Sequence, residues 1–222
     1  MLILFDIDGT ILTSEGVGIR SIEQAAGQLF GKSCSLDGIQ VGGRLDPLIW
    51  EDVCEKYGKE NTEVLHEKFR GIYFEILKAN LETCTVQVLP GVQQLLKACN
   101  ALDNVTMGLV TGNYQETGLM KLVAAGIDTT MFVANAWGTD GTARMHLPPV
   151  AIAQHAKDEA VVLIGDTVHD VTSGQSAGCK VIAVCTGSHD CVTLSASKPD
   201  LLLEDLSDME AVLHWIFNSQ NQ

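Results

Sequence analysis

Met1 to Phe5 is an unbroken apolar run that stops at an acidic residue. A run that short, with no polar alternation, reads as a strand buried on both faces of a parallel sheet. After Thr10 the period changes. Ile19, Ile22, Ala26, Leu29 and Phe30 recur at helical spacing and predict a helix over 18–31. Asp46-Pro47 predicts a second helix, with Asp46 as N-cap and Pro47 in the first turn, carrying Leu48, Ile49, Val53 and Tyr57. A third starts at Asn61 or Thr62 and runs through Leu65, Phe69, Ile72, Tyr73, Ile76 and Leu77. Trp50, Tyr57, Phe69, Tyr73 and Phe74 share this spacing and read as core. No strand pattern interrupts the block, so residues 14–84 form an inserted helical unit.

From Val86 onward strands and helices alternate. Leu89-Pro90-Gly91-Val92 opens a helix to about Leu102, and 105–110 is a strand. A helix over 115–125 ends at Gly126, and Met131-Phe132-Val133 is a short strand. Helices are expected over 149–157, 171–177 and 207–217, with strands over 160–164 and 180–184 and an edge strand at 199–203. Apolar strands joined by helical crossovers imply a doubly wound, Rossmann-like α/β core, residues 1–13 and 85–222. Ligands in such sheets bind beyond the carboxyl ends of the strands.

Composition narrows the function. A chain of 222 residues with 46% hydrophobic and 19% charged residues can bury a sizeable core. The formal net charge of -14 argues against a nucleic-acid partner, which would need a basic surface. Seven cysteines without a Cys-x-x-Cys pair suggest neither a zinc site nor a disulfide framework. Reduced, buried thiols are expected, and with them a cytoplasmic location. No apolar run reaches membrane-spanning length.

The chemistry lies at three strand ends. The first strand stops at Asp6-Ile7-Asp8-Gly9-Thr10, the second at Thr111-Gly112-Asn113, and the third at Gly165-Asp166-Thr167-Val168-His169-Asp170. Neighbouring strands would bring all three clusters to one edge. Two carboxylates two residues apart call for a cation, and a hard divalent ion suits carboxylate oxygens. One of them could attack phosphorus while the other moves a proton. Thr111 offers a hydroxyl, and Gly112 and Asn113 offer backbone amides at the start of a helix, where an anion is favoured. Asp170 could share the ion, orient a bound water, or N-cap the next helix. His169 reads as a solvent-facing or supporting residue.

These three motifs, in this order, resemble the haloacid dehalogenase-like superfamily. The helical insert resembles its helical-cap subclass, as in phosphoglycolate phosphatase-like proteins. Leu89-Pro90-Gly91-Val92, Ala177-Gly178 and Thr186-Gly187 add to the likeness. The resemblance implies a Mg2+-dependent phosphatase acting on a small phosphorylated metabolite, as a monomer or homodimer. Asp6 would be the nucleophile that becomes an aspartyl-phosphate. Asp8 would protonate the leaving group and then activate water. Thr111 would bind the phosphoryl group, helped by Gly112 and Asn113. Mg2+ would be held by Asp6, Asp166 and the Asp8 backbone carbonyl, supported by Asp170.

One departure stands out. The superfamily uses a basic residue, usually Lys, before the Gly-Asp motif, and Thr142 to Pro149 contains no Lys. Arg144 is the first substitute, because it keeps a permanent cation. His146 and Lys121 are the others. In the insert, Arg44 could meet a second anionic group on the substrate or pair with an acid such as Asp46. Glu15 and Gly16 are expected on the hinge side. A phosphomutase and a weakened phospho-ligand-binding regulator are the alternative functions. Carbon–halogen hydrolysis is disfavoured by Asp8, and phosphonate cleavage by the lack of a cap lysine after the first motif.

Overall fold

The computed structural model describes residues 1–155 and 159–218. Its first strand, β1 (Leu2–Phe5), is buried along its whole length. A two-residue strand β2 (Leu12–Thr13) leads into three helices: α1 (Val17–Phe30), α2 (Asp46–Lys56) and α3 (Glu63–Thr83). The chain returns through β3 (Gln87–Val88), then α4 (Val92–Asn100), β4 (Thr106–Val110), α5 (Gln115–Ala124) and β5 (Phe132–Ala136). A 3-10 turn at Arg144–His146 precedes α6 (Leu147–Ala153). Then follow β6 (Val161–Gly165), α7 (Val168–Ser176), β7 (Lys180–Val184), α8 (Cys191–Ala196), β8 (Leu201–Leu203) and α9 (Met209–Asn218).

The main sheet is parallel, in the order β5-β4-β1-β6-β7-β8. The chain starts at the centre, builds outward on one side through β4 and β5, and then crosses to the other. That reversal puts the topological switch point at β1, between β4 and β6. Successive side chains of β1 enter opposite cores, as a period of two requires. Ile3 and Phe5 pack with Leu95, Leu109 and Ile164, while Leu2 and Leu4 pack with Val110, Leu163 and Val171.

A third core belongs to the helical insert, with Ile22, Trp50, Val53, Phe69, Tyr73 and Leu77 buried together. Trp50 and Phe69 stack with ring centroids 3.9 Å apart. Tyr114, from the loop after β4, completes this cluster. The insert is tied to the sheet at its base by the antiparallel pair β2–β3, Leu12 opposite Val88. Glu15 and Gly16 beside it both hold positive φ, 49° and 77°.

Several boundaries differ from the sequence expectation. Helix α7 begins at Val168, not at 171, because Thr167 and Asp170 form a capping box: Asp170 N–H donates to Thr167 Oγ1 and Thr167 N–H to the Asp170 carboxylate. Asp170 is therefore inside the helix rather than its N-cap. Asp46 is likewise in the first turn of α2, with Leu45 at the cap position. Helix α6 starts two residues early, with prolines in its first turn, and the expected end at Lys157 lies outside the described residues. The α8 helix was not expected; Asp190 caps it through Thr193 N–H at 2.8 Å.

The cysteine expectation fails for one pair. Cys185 and Cys191 form a disulfide that closes a short loop after β7, whereas Cys34, Cys54, Cys84, Cys99 and Cys179 are free. The thiol argument for a cytoplasmic location is weakened accordingly. Closing a loop that short removes chain entropy worth ~2 kcal/mol from the unfolded state. Replacing both cysteines by Ser should lower the melting temperature by about 4–8 °C for a chain of this size. An unchanged melting curve would show that the bridge contributes nothing. Among the described residues, no helix is long and apolar enough to cross a membrane.

Candidate active site

Strands β4, β1 and β6 are neighbours, so the three polar clusters do meet at their carboxyl ends. The first loop turns sharply after Asp8. Gly9 sits at φ 82°, and a Cβ there would lie 2.6 Å from Asp166 Oδ2, so only glycine fits. The loop after β7 locks this arrangement. Thr186 Oγ1 donates to the Gly9 carbonyl at 2.6 Å, and Ser188 N–H donates to Asp166 Oδ2 at 2.7 Å. Thr10 Oγ1 donates to Asp166 Oδ1 at 3.2 Å. The residues 186–188 matter to the site because they grip Asp166, and the Thr186-Gly187 pair was their one sequence signal.

Asp6, Asp166 and Asp170 are buried, and a carboxylate oxygen from each lies within 4.8 Å of the others. Arg144 reaches into this cluster. Its Nη2 is 2.5 Å from Asp170 Oδ1 and 3.1 Å from Asp6 Oδ1, and donates to the Val110 carbonyl at 3.1 Å. Burial opposes its charge, but Asp170 and Asp6 more than compensate and hold it protonated. Burial pushes the Asp6 carboxyl up to about 6, against the pull of Arg144. Asp166 is raised well above the usual carboxylate range by burial and then by the charges of Asp6 and Asp170.

This donor set fits a hard divalent cation. One guanidinium against three carboxylates leaves two negative charges unbalanced when all are ionised. Asp6 Oδ1 is buried and, despite the nearby guanidinium, lacks a hydrogen bond of good geometry. Oxygen-only ligands with net charge -2 suit Mg2+. Both Asp170 oxygens are already engaged, by Arg144 and by Thr167, so Asp6 and Asp166 are the better direct ligands. The Asp8 side chain stands apart from this cluster.

Asp8 belongs to a second network. Lys121 Nζ donates to its two carboxylate oxygens at 3.0 and 2.7 Å and to Asn113 Oδ1 at 2.7 Å. Asn113 Nδ2 donates to Asp8 Oδ2 and to Thr111 Oγ1, both at 2.8 Å. Asn113 thus links the acid to the hydroxyl, a supporting role that its own amide was not expected to have. Among the described residues, no acceptor takes the Thr111 hydroxyl proton, which is left for a ligand. His146 is exposed and bonded to Thr142, away from the cluster. The geometry therefore divides the cations: Arg144 at Asp6, Lys121 at Asp8.

The insert closes over these residues. Asp46 N–H donates to the Gly112 carbonyl at 2.7 Å, and Tyr114 N–H donates to Asp46 Oδ2 at 3.1 Å. Gly43, at φ 69°, brings the loop against Thr167 and His169, where a Cβ would lie 2.8 Å from either side chain. His169 faces this loop, 3.3 Å from Gln40. Arg44 pairs with Asp52 at 2.8 Å rather than with Asp46. Together the two parts enclose a cavity of about 340 Å3, lined by Asp6, Asp8, Thr111 and Arg144 on one side and by Ile22, Ile49 and Tyr73 on the other.

Burial raises the Asp46 carboxyl to about 7, against the pull of Lys121. The unfolded group ionises near pH 4, so between there and 7 the native state holds a proton that the unfolded chain does not. Stability from this group is present at low pH and lost as pH rises to 7. Asp46→Asn keeps an acceptor for Tyr114 and stays neutral. It should match the wild type at pH 4 and exceed it by on the order of 2 kcal/mol at pH 8. Denaturant melts at both values would show it, and a gap that shrinks with rising pH would refute it.

The sequence is 24% identical to pyrophosphatase PpaX of Bacillus pumilus (strain SAFR-032), covering 95% of each chain. It is 24% identical to phosphoglycolate phosphatase of Photorhabdus laumondii, over 93% of this chain and 89% of that one. The fold is similar to that of a hydrolase from Pseudomonas syringae, with a TM-score of 0.74, 18% identity, and coverage of 97% and 98%. Residues 3–184 match the family described as haloacid dehalogenase-like hydrolase. That match spans the strands from β1 to β7 with their acidic cluster and the helical insert, and the chain belongs to the haloacid dehalogenase-like hydrolases.

Proposed function

We propose that the protein is a Mg2+-dependent phosphatase that hydrolyses a small phosphate monoester through an aspartyl-phosphate on Asp6. The observation that carries this reading is the gathering of Asp6, Asp166, Asp170 and Arg144 beside Thr111 and the Lys121-held Asp8, at a cavity that Asp6, Asp8, Thr111, Lys121 and Arg144 line. Relatives named as phosphatases and pyrophosphatases support it. Residues 1–13 and 85–222 supply the chemistry, and 14–84 serve as the cap. In this reading Gly112 and Asn113 line the phosphate side, and Arg44 sits at the rim of the cap.

A bound Mg2+, held by Asp6, Asp166 and the Asp8 carbonyl with Asp170 in support, would offset repulsion between an anionic nucleophile and an anionic phosphate. The residues do the rest. An Asp6 oxygen attacks phosphorus as the bond to the leaving oxygen breaks, and Asp8 gives that oxygen its proton. Asp8, now ionised and fixed by Lys121 and Asn113, takes a proton from water. The resulting hydroxide attacks phosphorus and breaks the bond to Asp6, releasing phosphate. Asp8 ends with the proton it began with. Thr111 and Arg144 hold the phosphoryl oxygens in place, and the insert covers one side of the site.

Phosphate release from an aryl phosphate tests this. Activity should vanish on chelation with EDTA and return with Mg2+. Release that is indifferent to chelator would end the metal assignment, and accumulation of an isomerised sugar phosphate without free phosphate would favour a mutase.

A further inference from the structure

The cavity holds more information about the leaving group than about the phosphate. Its cationic lining consists of Arg44, Lys121 and Arg144. Each is already ion-paired with a carboxylate of this chain. Arg144 is taken by Asp170 and Asp6. Lys121 directs its ammonium to both oxygens of Asp8 and to Asn113, which uses its three N–H donors. Arg44 is paired with Asp52 at 2.8 Å, and both also line a separate outer groove with Glu55. The cap wall opposite the phosphate site is apolar: Ile19, Ile22, Val41 and Ile49, with the Tyr73 ring. Ile19 is 38% exposed although it lies on the cavity side of α1.

We infer that the leaving alcohol is uncharged and partly apolar, and that substrates with a second anionic group are excluded. This deepens the proposed phosphatase reading and rests on it. A carboxylate or second phosphate seated here would lose its water and have to compete with Asp8, Asp6, Asp170 or Asp52 for a cation that is already paired, which is costly. An alkyl or aryl group would cover the exposed Ile19 side chain instead. The substrate class thereby differs from those in the names of the pyrophosphatase and phosphoglycolate phosphatase relatives, both of which carry two anionic groups.

The test compares matched substrates on the full chain with Mg2+, reading phosphate release as kcat/KM. Propyl phosphate is set against 2-phosphoglycolate, phenyl phosphate against 4-carboxyphenyl phosphate, and pyrophosphate is run alongside. The uncharged member of each pair should be favoured about tenfold or more, and pyrophosphate should be slower than phenyl phosphate by a similar factor. Equal or better turnover of the carboxylates or pyrophosphate overturns the inference while leaving the phosphatase reading intact. If the carboxylated substrates are turned over as well as their uncharged partners and that turnover falls in Arg44→Met, Arg44 rather than the apolar wall reads the leaving group and the inference is overturned. Absence of phosphate release from every compound removes both the inference and the reading beneath it.

Discussion

Asp6→Asn should abolish phosphate release, by on the order of 10^4-fold or more, and at the same time make the metal-free protein more resistant to heat. The loss follows from chemistry: an amide oxygen is a poor nucleophile and cannot form the phosphorylated intermediate. The gain follows from electrostatics. Asp6 is buried with Asp166 and Asp170, and one guanidinium does not balance the three. Removing one negative charge from that cluster relieves repulsion that the wild type carries without a cation. The two opposite effects separate a chemical defect from a folding defect. Melting curves in EDTA should place the variant above the wild type, and in Mg2+ the order should close or reverse. A variant with normal turnover would remove Asp6 as nucleophile. An inactive variant that melts earlier than the wild type in EDTA would show that the cluster is not strained by its charges.

The strand ends were legible because each buried strand is a short apolar run halted by polar residues, and a parallel sheet forces such ends to one edge. The adjacency of β4, β1 and β6 was an inference from that logic, and the sheet order agrees. The ribbon β2–β3 was not legible, since two residues per strand carry no period. Thr167-Val168-His169-Asp170 carries a readable capping signature, which starts α7 at Val168 rather than at 171. The division of labour between Arg144, Lys121 and His146 could not be read from spacing. It depends on how far a 3-10 turn carries Arg144 inward, and on a lysine two turns into α5 reaching back to β1. The same holds for Asp46. Its position suggested a cap for its own helix, whereas its side chain serves Tyr114 across the boundary between insert and sheet. The Cys185–Cys191 pair carries no motif and follows from the tight loop that the Asp166 contacts impose.

The second large effect belongs to Arg144, and its sign depends on the replacement. Arg144→Met should slow turnover by about 10^2- to 10^3-fold, the scale for removing one positioned cation from a phosphoryl-transfer site. It should also cost roughly 3–5 kcal/mol of stability, because Asp170 is left buried without its partner. Arg144→Lys is the informative contrast. All three close contacts of this side chain run from the single atom Nη2, to Asp170, Asp6 and the Val110 carbonyl. An ammonium offers three N–H donors at one point, so a lysine that reaches the same place can reproduce all three. The lysine variant should therefore keep activity within about tenfold of the wild type, whereas a site built on the two-pronged fork of arginine would lose nearly as much as with Met. Mg2+ should raise the melting temperature of Arg144→Met by more than that of the wild type, because a cluster with no guanidinium gains more from binding the ion. If Arg144→Met turns over at the normal rate, the cation that matters to phosphorus is Lys121, and the assignment of the two basic residues must be exchanged.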